Sequence, residues 1–188
     1  NSFSQTGEII SVNNVYRDWL PSVNLTYLLT EDVNIRLGYS KTLARPEFRE
    51  LAPFSYFDFL ANELVQGNPD LKRSLINNFD LRFEYFPQGG ELVAVSLFYK
   101  KFNDPIEEIL TASSSNEPIR SYANAISADN YGLELELRKS LGFISESINN
   151  FSFVGNVTLI KSTIELNSEN SGFQQSERPL QGQADYIF

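Results

Sequence analysis

Seven times along this 188-residue chain, apolar and polar side chains alternate with a period of two. That is the period of a strand with two unlike faces, and it leaves little room for helices. Val23, Leu25, Tyr27 and Leu29 alternate with Ser22, Asn24, Thr26 and Leu28. Val33, Ile35, Leu37 and Tyr39 then stand against Asn34, Arg36, Gly38 and Ser40. Phe79, Leu81, Phe83 and Tyr85 oppose Asp80, Arg82 and Glu84, and Val93, Val95, Leu97 and Tyr99 oppose Ala94, Ser96 and Lys100. Tyr131, Leu133, Leu135 and Leu137 face away from Gly132, Glu134, Glu136 and Arg138. Phe151, Phe153, Val157 and Leu159 face away from Ser152, Asn156 and Thr158. A seventh run starts near Leu180, with Gln181, Gln183 and Asp185 on its polar side.

One short segment competes with the strands. Pro46 to Ala52 has proline in a first-turn position, Glu47 near the start and Pro53 behind it, which predicts at most about two helical turns within a loop. The links alternate in length. Thr30-Glu31-Asp32 and Pro87-Gln88-Gly89-Gly90 are tight hairpin connections, and Ser140 to Asn150 is a looser short one. Long loops run from about Ala44 to Ser74, from Asn103 to Arg120 and from Asn167 to Arg178. Such links gather the short turns at one end of the sheet and the long loops at the other. The predicted fold class is all-β, an antiparallel up-and-down meander of about seven strands.

Alternation alone does not say what covers the apolar face, because a soluble sandwich hides one face of each strand as well. No apolar run reaches the roughly 18–20 residues of a membrane helix, but a transmembrane β-barrel needs none. Two features favour the barrel: the apolar faces carry large residues almost free of charge, and the loops at one end are very long for a compact domain. Tyr27, Tyr85 and Phe151 sit near the short turns, and Tyr39, Tyr99 and Tyr131 lie roughly eight residues away, a climb of roughly 19–20 Å in a tilted strand. They are candidates for two lipid-facing aromatic girdles. In a soluble sandwich the same residues would be core aromatics.

The charge balance narrows function. Lys plus Arg is 15 against 24 for Asp plus Glu, a net charge of −9, which argues against a nucleic-acid surface. Zero His and zero Cys remove histidine acid–base chemistry, thiol nucleophiles, disulfides and ordinary zinc sites. No catalytic set, metal site or cofactor is expected. The absence of Met and the strand-like last residues, Ala184 to Phe188, suggest a segment of a longer polypeptide.

The order and spacing of several short motifs carry a family likeness. Trp19-Leu20-Pro21-Ser22-Val23-Asn24-Leu25 is followed by Leu37-Gly38-Tyr39-Ser40-Lys41-Thr42-Leu43-Ala44-Arg45-Pro46 and Glu50-Leu51-Ala52-Pro53. Then come Gly67-Asn68-Pro69-Asp70-Leu71-Lys72, Asn78-Phe79-Asp80-Leu81 and Glu84-Tyr85-Phe86. Ser96-Leu97-Phe98-Tyr99-Lys100-Lys101-Phe102, Asp104-Pro105-Ile106, Tyr131-Gly132-Leu133-Glu134 and Arg178-Pro179-Leu180-Gln181-Gly182-Gln183 complete the set. From about Trp19 onward the chain resembles the barrel of a TonB-dependent outer-membrane receptor of a Gram-negative bacterium. One departure is local: Arg73 follows Lys72 where relatives often have Pro then Glu.

The resemblance implies a barrel of about 22 strands closed by an N-terminal plug, with residues 1–188 supplying part of its C-terminal half. It implies active import of a scarce solute (siderophore, glycan, peptide or cobalamin class). Its partners would be outer-membrane lipid, the plug of the same parent chain, and TonB acting through the parent's N-terminal region. The segment itself contains neither plug nor coupling box. A lone seven-stranded sheet would leave two edges unpaired in lipid, so the segment is not expected to insert stably as a monomer.

Two groups of residues stand out as candidate sites. Arg36, Asp80, Arg82, Glu84, Lys100, Glu134, Glu136 and Arg138 form a mixed polar wall, which in the family faces the plug and the solute path. Its plainer reading is a hydrated lining with charges paired across strands. Glu134 and Glu136 share a face but follow from the alternation, and nothing else suggests a catalytic cleft. Phe54, Tyr56, Phe57, Asp58 and Phe59 place aromatic faces beside a carboxylate in the first long loop, a pattern that suits stacking of flat or amphipathic solutes. The alternative is a loop packed on itself. Glycosylation-like triplets at Asn24, Asn150 and Asn156 are read as chance polar-face positions. The rival functions are a soluble all-β binding or adhesion domain and a passive porin-like barrel.

Overall fold

The computed structural model describes residues 15–111 and 119–166, together with the strand pieces at 2–3, 9–10, 177–178 and 186–187. In chain order the strands are β1 (Ser2–Phe3), β2 (Ile9–Ile10), β3 (Ser22–Leu28), β4 (Val33–Ala44), β5 (Ser55–Asp58), β6 (Glu63–Gln66) and β7 (Ser74–Tyr85). They continue with β8 (Leu92–Asn103), β9 (Ile106–Thr111), β10 (Ile119–Asn124), β11 (Ser127–Ser140), β12 (Ser152–Glu165), β13 (Glu177–Arg178) and β14 (Tyr186–Ile187). The main sheet runs β3-β4-β7-β8-β11-β12, every pair antiparallel, with β13 and β14 both added to the free edge of β12. The expected meander is therefore present. The seventh run near Leu180 lies outside the described residues, although β13 and β14 flank it at the expected position.

Register follows from the alternation, because a slip of one residue would move every apolar side chain to the polar face. Leu25, Leu37, Leu81, Leu97, Leu133 and Leu159 lie side by side across the six main strands. One pair toward the long links, Tyr39, Phe79, Tyr99 and Tyr131 form an aromatic row. Ring centroids are 5.0 Å apart for Tyr39–Phe79 and 6.2 Å for Phe79–Tyr99. Cross-strand aromatic pairs of this kind contribute about 0.2–1 kcal/mol each.

Among the described residues no second layer covers this face. Leu135 is 44% exposed, Val93 39% and Leu97 50%, while Leu133 and Val95 are half-buried only by their strand neighbours. A water-soluble sandwich would seal these positions. The small apolar core lies elsewhere, at the long-link end of the polar face, where Ala125, Ala128, Ile164 and Leu166 pack with Phe102.

The main strands are longer than their alternating cores: 12 residues in β4, β7 and β8, and 14 in β11 and β12. A tilted membrane-spanning strand needs about 9–11 residues, so these have length to continue past an apolar band. The tight links behave as expected. Leu29 N–H donates to Val33 O at 2.9 Å, and Gly90 supplies the positive φ of 85° that the second turn requires.

Three sequence expectations change. Pro46 to Ala52 is not helical: it makes a single turn, closed by Leu51 N–H donating to Glu47 O at 3.1 Å. The six residues between Pro46 and Pro53 are too short a stretch to propagate a helix once nucleated. Phe151 stands in the link before β12, so the first outward aromatic on that strand is Phe153, level with Lys139. Finally, the two long links at 45–73 and 104–126 are not irregular loops. They carry β5, β6, β9 and β10, which join into a sheet of their own.

Candidate functional site

The second sheet is assembled from both long links. β5 pairs antiparallel with β6, β9 pairs antiparallel with β10, and a parallel bridge between Val65 and Arg120 joins the two hairpins in the order β5-β6-β10-β9. Such short strands need side-chain help. Two asparagines provide it where the sheet meets the wall. Asn68 donates its side-chain N–H to Tyr122 O at 2.9 Å, while its own backbone N–H is bound by Glu50 O. Asn124 accepts from Lys72 N–H at 2.8 Å and donates to Lys72 O at 2.9 Å and Asp104 O at 2.8 Å.

This explains the Gly67-Asn68-Pro69-Asp70-Leu71-Lys72 motif physically. A Cβ on Gly67 would come within 2.4 Å of Ala52 O and 2.7 Å of Arg49 O, so only glycine lets β6 run onto the 47–52 turn. Arg73, the departure from the family pattern, is tied to Asp18 by a charged hydrogen bond and lies 3.9 Å from the Tyr16 ring centroid. It fastens the segment before β3 to this end of the wall.

Strand alternation divides the candidate aromatic group between the two faces of the second sheet. Tyr56 pairs with Val65 and Asp58 with Glu63 on one face, and Phe57 pairs with Leu64 on the other. Arg120 sits at the centre of the first face. Its Nη2 lies 3.1 Å from Asp58 Oδ2 and 3.1 Å from Glu63 Oε1, and its Nη1 lies 3.5 Å from Glu108 Oε1. One guanidinium thus holds carboxylates from β5, β6 and β9.

Asp58 is further fixed by backbone donors. Ala61 N–H and Leu60 N–H point at its Oδ1, at 3.2 and 2.9 Å, and with Arg120 they hold its carboxyl below the usual aspartate range. Beside this group, burial pushes the Tyr122 phenol up to about 12, with help from the charge and hydrogen bond of Tyr56. On the other face the chemistry is apolar. Phe57 and Phe59 meet edge to face at 5.2 Å, with Phe59 86% and Leu60 100% exposed. Phe54 precedes β5 and is also exposed.

The eight charged residues of the predicted polar wall all fall on one face of the main sheet. Five of them form a continuous ladder: Arg36–Glu84 at 2.8 Å, Glu84–Arg82 at 2.9 Å, Arg82–Glu136 at 2.7 Å and Glu136–Arg138 at 3.8 Å. Arg82 also donates to Ser96 Oγ at 3.0 Å, so the ladder touches β4, β7, β8 and β11. Glu134, Glu136, Arg82, Asn156 and Thr158 line a hollow of about 360 Å³ beside it. Asp80 and Lys100 lie on the same face, one and two register pairs toward the long links from Arg82. Gly132 interrupts this face because a Cβ there would stand 2.4 Å from Leu159 O and 2.6 Å from the Phe98 ring.

The girdle candidates separate by position. Tyr39, Tyr99 and Tyr131 share the aromatic row, with Tyr39 OH donating to Asn77 Oδ1 at 3.2 Å and Tyr99 OH to Asp129. Both phenols therefore bond to polar residues on the long-link side. Tyr27 is level with Ile35 and Tyr85 with Val33, while Phe153 is one pair lower still, so the lower aromatics descend across the sheet. The spacing between the two sets is four residues at β3 and β4 and widens across the sheet, instead of a constant eight. Among the described residues, no cluster of His, Cys, Asp and Glu has the make-up of a metal site.

The Arg120 centre and the asparagine clamps escape sequence reasoning. Ile106–Thr111 and Ile119–Asn124 do carry β-branched residues, a strand signal of moderate strength. The parallel bridge that brings Arg120 to Asp58 and Glu63 has no sequence signature.

Comparison with known proteins places this architecture. The outer membrane protein beta-barrel family matches residues 2–182. The fold is similar to the siderophore receptor PirA from Pseudomonas aeruginosa, with TM-score 0.63 and 19% identity over 80% of this chain and 31% of that one. It is similar to a variant of the ferric enterobactin receptor from Pseudomonas aeruginosa, in complex with enterobactin, with TM-score 0.58 and 20% identity over 80% of this chain and 26% of that one. The siderophore receptor PirA from Acinetobacter baumannii gives TM-score 0.55 and 17% identity, covering 80% and 27%. The chain thus spans less than a third of the length of these receptors. No curated protein matches.

Proposed function

We infer the function from one premise: the chain belongs to the outer membrane protein beta-barrel family. It is an outer-membrane protein, and its main sheet has the fold of a receptor barrel wall. The soluble binding or adhesion domain falls with that membership.

We propose that residues 1–188 are part of the barrel of a TonB-dependent receptor that captures a scarce solute and imports it with energy delivered through TonB. The observation that carries this reading is the pairing of two opposite surfaces on the same strands. The leucine row and the aromatic row above it form a surface suited to lipid, with Tyr27, Tyr85 and Phe153 along its lower margin. The Arg36–Glu84–Arg82–Glu136–Arg138 ladder is suited to a hydrated interior, where a plug supplied by the rest of the parent chain would rest. Porins share such walls, so energy coupling rests on the receptor-like motifs.

The second sheet is the proposed capture element, standing at the mouth with Phe57 and Phe59 presented to solvent and Tyr56 and Asp58 beside Arg120. Aromatic faces next to a fixed charge suit a flat or amphipathic solute. Cells carrying the full-length receptor should accumulate its solute only when TonB is present, and the Tyr56→Ala/Phe57→Ala double variant should lower uptake at limiting solute about tenfold or more. Uptake that persists without TonB would identify a passive porin. Unchanged uptake by the double variant, with the barrel intact, would move capture elsewhere.

A further inference from the structure

Just above the aromatic row the outward face changes character. Lys41, Asn77, Lys101, Asp129 and Thr163 lie side by side in the next outward row, and Lys161 stands level with Tyr131 on β12. Three lysines therefore occupy β4, β8 and β12, alternate strands of the sheet. Adjacent strands are about 4.8 Å apart, so consecutive lysines are based roughly 10 Å from one another, close enough for two ammonium groups to converge on one anion. Lys101 and Lys161 are exposed, and among the described residues none of the three is in an ion pair.

The opposite end differs in how its outward cation is held. The short-turn links carry Glu31, Asp32, Glu91 and Glu146, and the outward Lys139 there is bound to Glu91 at 2.7 Å. Among the described residues of the main sheet's outward face, the lysines outside any ion pair stand at the long-link end, two in one row and the third one pair lower.

That level is meaningful. The lower outward aromatics descend one register pair from Tyr27 to Tyr85 and another to Phe153. This corresponds to a plane inclined about 30° to the register rows, near the tilt of about 35–45° expected of barrel strands. Lys161 lies one pair lower than Lys41 and Lys101, in the same direction. From β4 to β12 the three lysines thus drop one pair in the sense of that incline, at the height where phenol groups already bond to polar partners.

We propose that Lys41, Lys101 and Lys161 form a binding site for phosphate-bearing lipid headgroups in the leaflet on the long-link side. The aliphatic stems lie along the aromatic row while the ammonium groups reach the headgroup level, and Tyr39, Tyr99 and Tyr131 set the depth. Charge attraction at a membrane surface supplies the preference for anionic over zwitterionic lipid. This inference rests on the lipid-facing assignment made above.

The test uses the full-length receptor in a neutral detergent, titrated with phosphatidic acid, with phosphatidylcholine of the same chains, and with inorganic phosphate, reading bound lipid by native mass spectrometry. Phosphatidic acid should be retained at least about tenfold better than phosphatidylcholine, and millimolar inorganic phosphate should not displace it. The Lys41→Gln/Lys101→Gln/Lys161→Gln variant should lose roughly tenfold in retention, Lys101→Gln alone about threefold, and the triple Lys→Arg variant should recover it. Equal retention by the wild-type and triple-Gln receptors overturns the proposal, and displacement by inorganic phosphate shows a site for the free anion instead. Heat-modifiable migration is followed throughout. A receptor that never shows it would overturn the barrel reading itself, whereas a heat-modifiable receptor indifferent to phosphatidic acid overturns only the lysine site.

Discussion

The two sheets of this molecule are built on different principles. The wall has long strands, sequence-adjacent pairing and two faces that each repeat one kind of chemistry, so a single slip in register would expose the whole pattern to the wrong surroundings. The second sheet, proposed above to stand at the mouth, has strands of four to six residues, and single residues hold it: Arg120 among three carboxylates, and Asn68 and Asn124 at the joint. In the wall, stability is distributed over many similar contacts. In the second sheet it is concentrated in a few unlike ones, which leaves the neighbouring positions free to vary.

The most severe way to break this contrast is to place a charge in the middle of the apolar row. Leu97→Arg should destabilise the full-length protein in lipid vesicles by about 2–4 kcal/mol, measured by urea unfolding, because a guanidinium near the centre of hydrocarbon has no partner. Phe59→Arg, an equally large change at an exposed position of the mouth, should alter stability by less than about 0.5 kcal/mol. Equal effects would mean that the leucine row does not face lipid.

Next comes the Arg120 centre. Arg120→Ala leaves Asp58, Glu63 and Glu108 close together without their shared cation, and should loosen the second sheet by roughly 1–3 kcal/mol. Hydrogen exchange would localise the effect: faster exchange in 106–111 and 119–124, with the wall strands unchanged. Asn124→Ala removes the acceptor for Lys72 N–H and the donor to two carbonyls, and should cost about 1–2 kcal/mol in the same local opening. If exchange in the wall rose as much as in the mouth, the two sheets would be one cooperative unit.

Legibility from sequence follows the same division. The wall could be read because its information is periodic. Leu25, Leu37 and Leu81 each sit in an alternating run, and pairing those runs in order already aligns them. The ends of the runs were harder to place. Phe151 continues the alternation by type yet lies before the strand, because the 3₁₀ turns at Leu141–Phe143 and Glu146–Ile148 lengthen the link. The mouth could not be read as a sheet. Val65 and Arg120 are brought together by folding of two separate links, and a parallel bridge between them leaves no periodic trace. Phe57 and Asp58 show the consequence: neighbours in sequence, they read as one mixed site, whereas alternation in β5 sends them to opposite faces.

The finest probe of the comparison is a titration at the mouth. Burial, with the nearby Tyr56, holds the Tyr122 phenol at about 12, above its ordinary value of 10. A raised phenol pKa favours the protonated, folded state. Its contribution is therefore complete below about pH 10 and is lost as pH rises from about 10 towards about 12, where an unfolded chain would already have ionised. Absorbance of the full-length protein near 295 nm should include a step from Tyr122 well after the exposed tyrosines, and Tyr122→Phe should remove that step. Hydrogen exchange in 119–124 should accelerate over the same alkaline interval in the wild type and less so in Tyr122→Phe. Acid should act differently. The carboxyl of Asp58 is held low by Ala61, Leu60 and Arg120, so its bond to Arg120 persists as pH falls past the ordinary aspartate value and fails only below it. A mouth that opened at pH 5 while the wall stayed closed would place its weak point outside the Asp58–Arg120 bond.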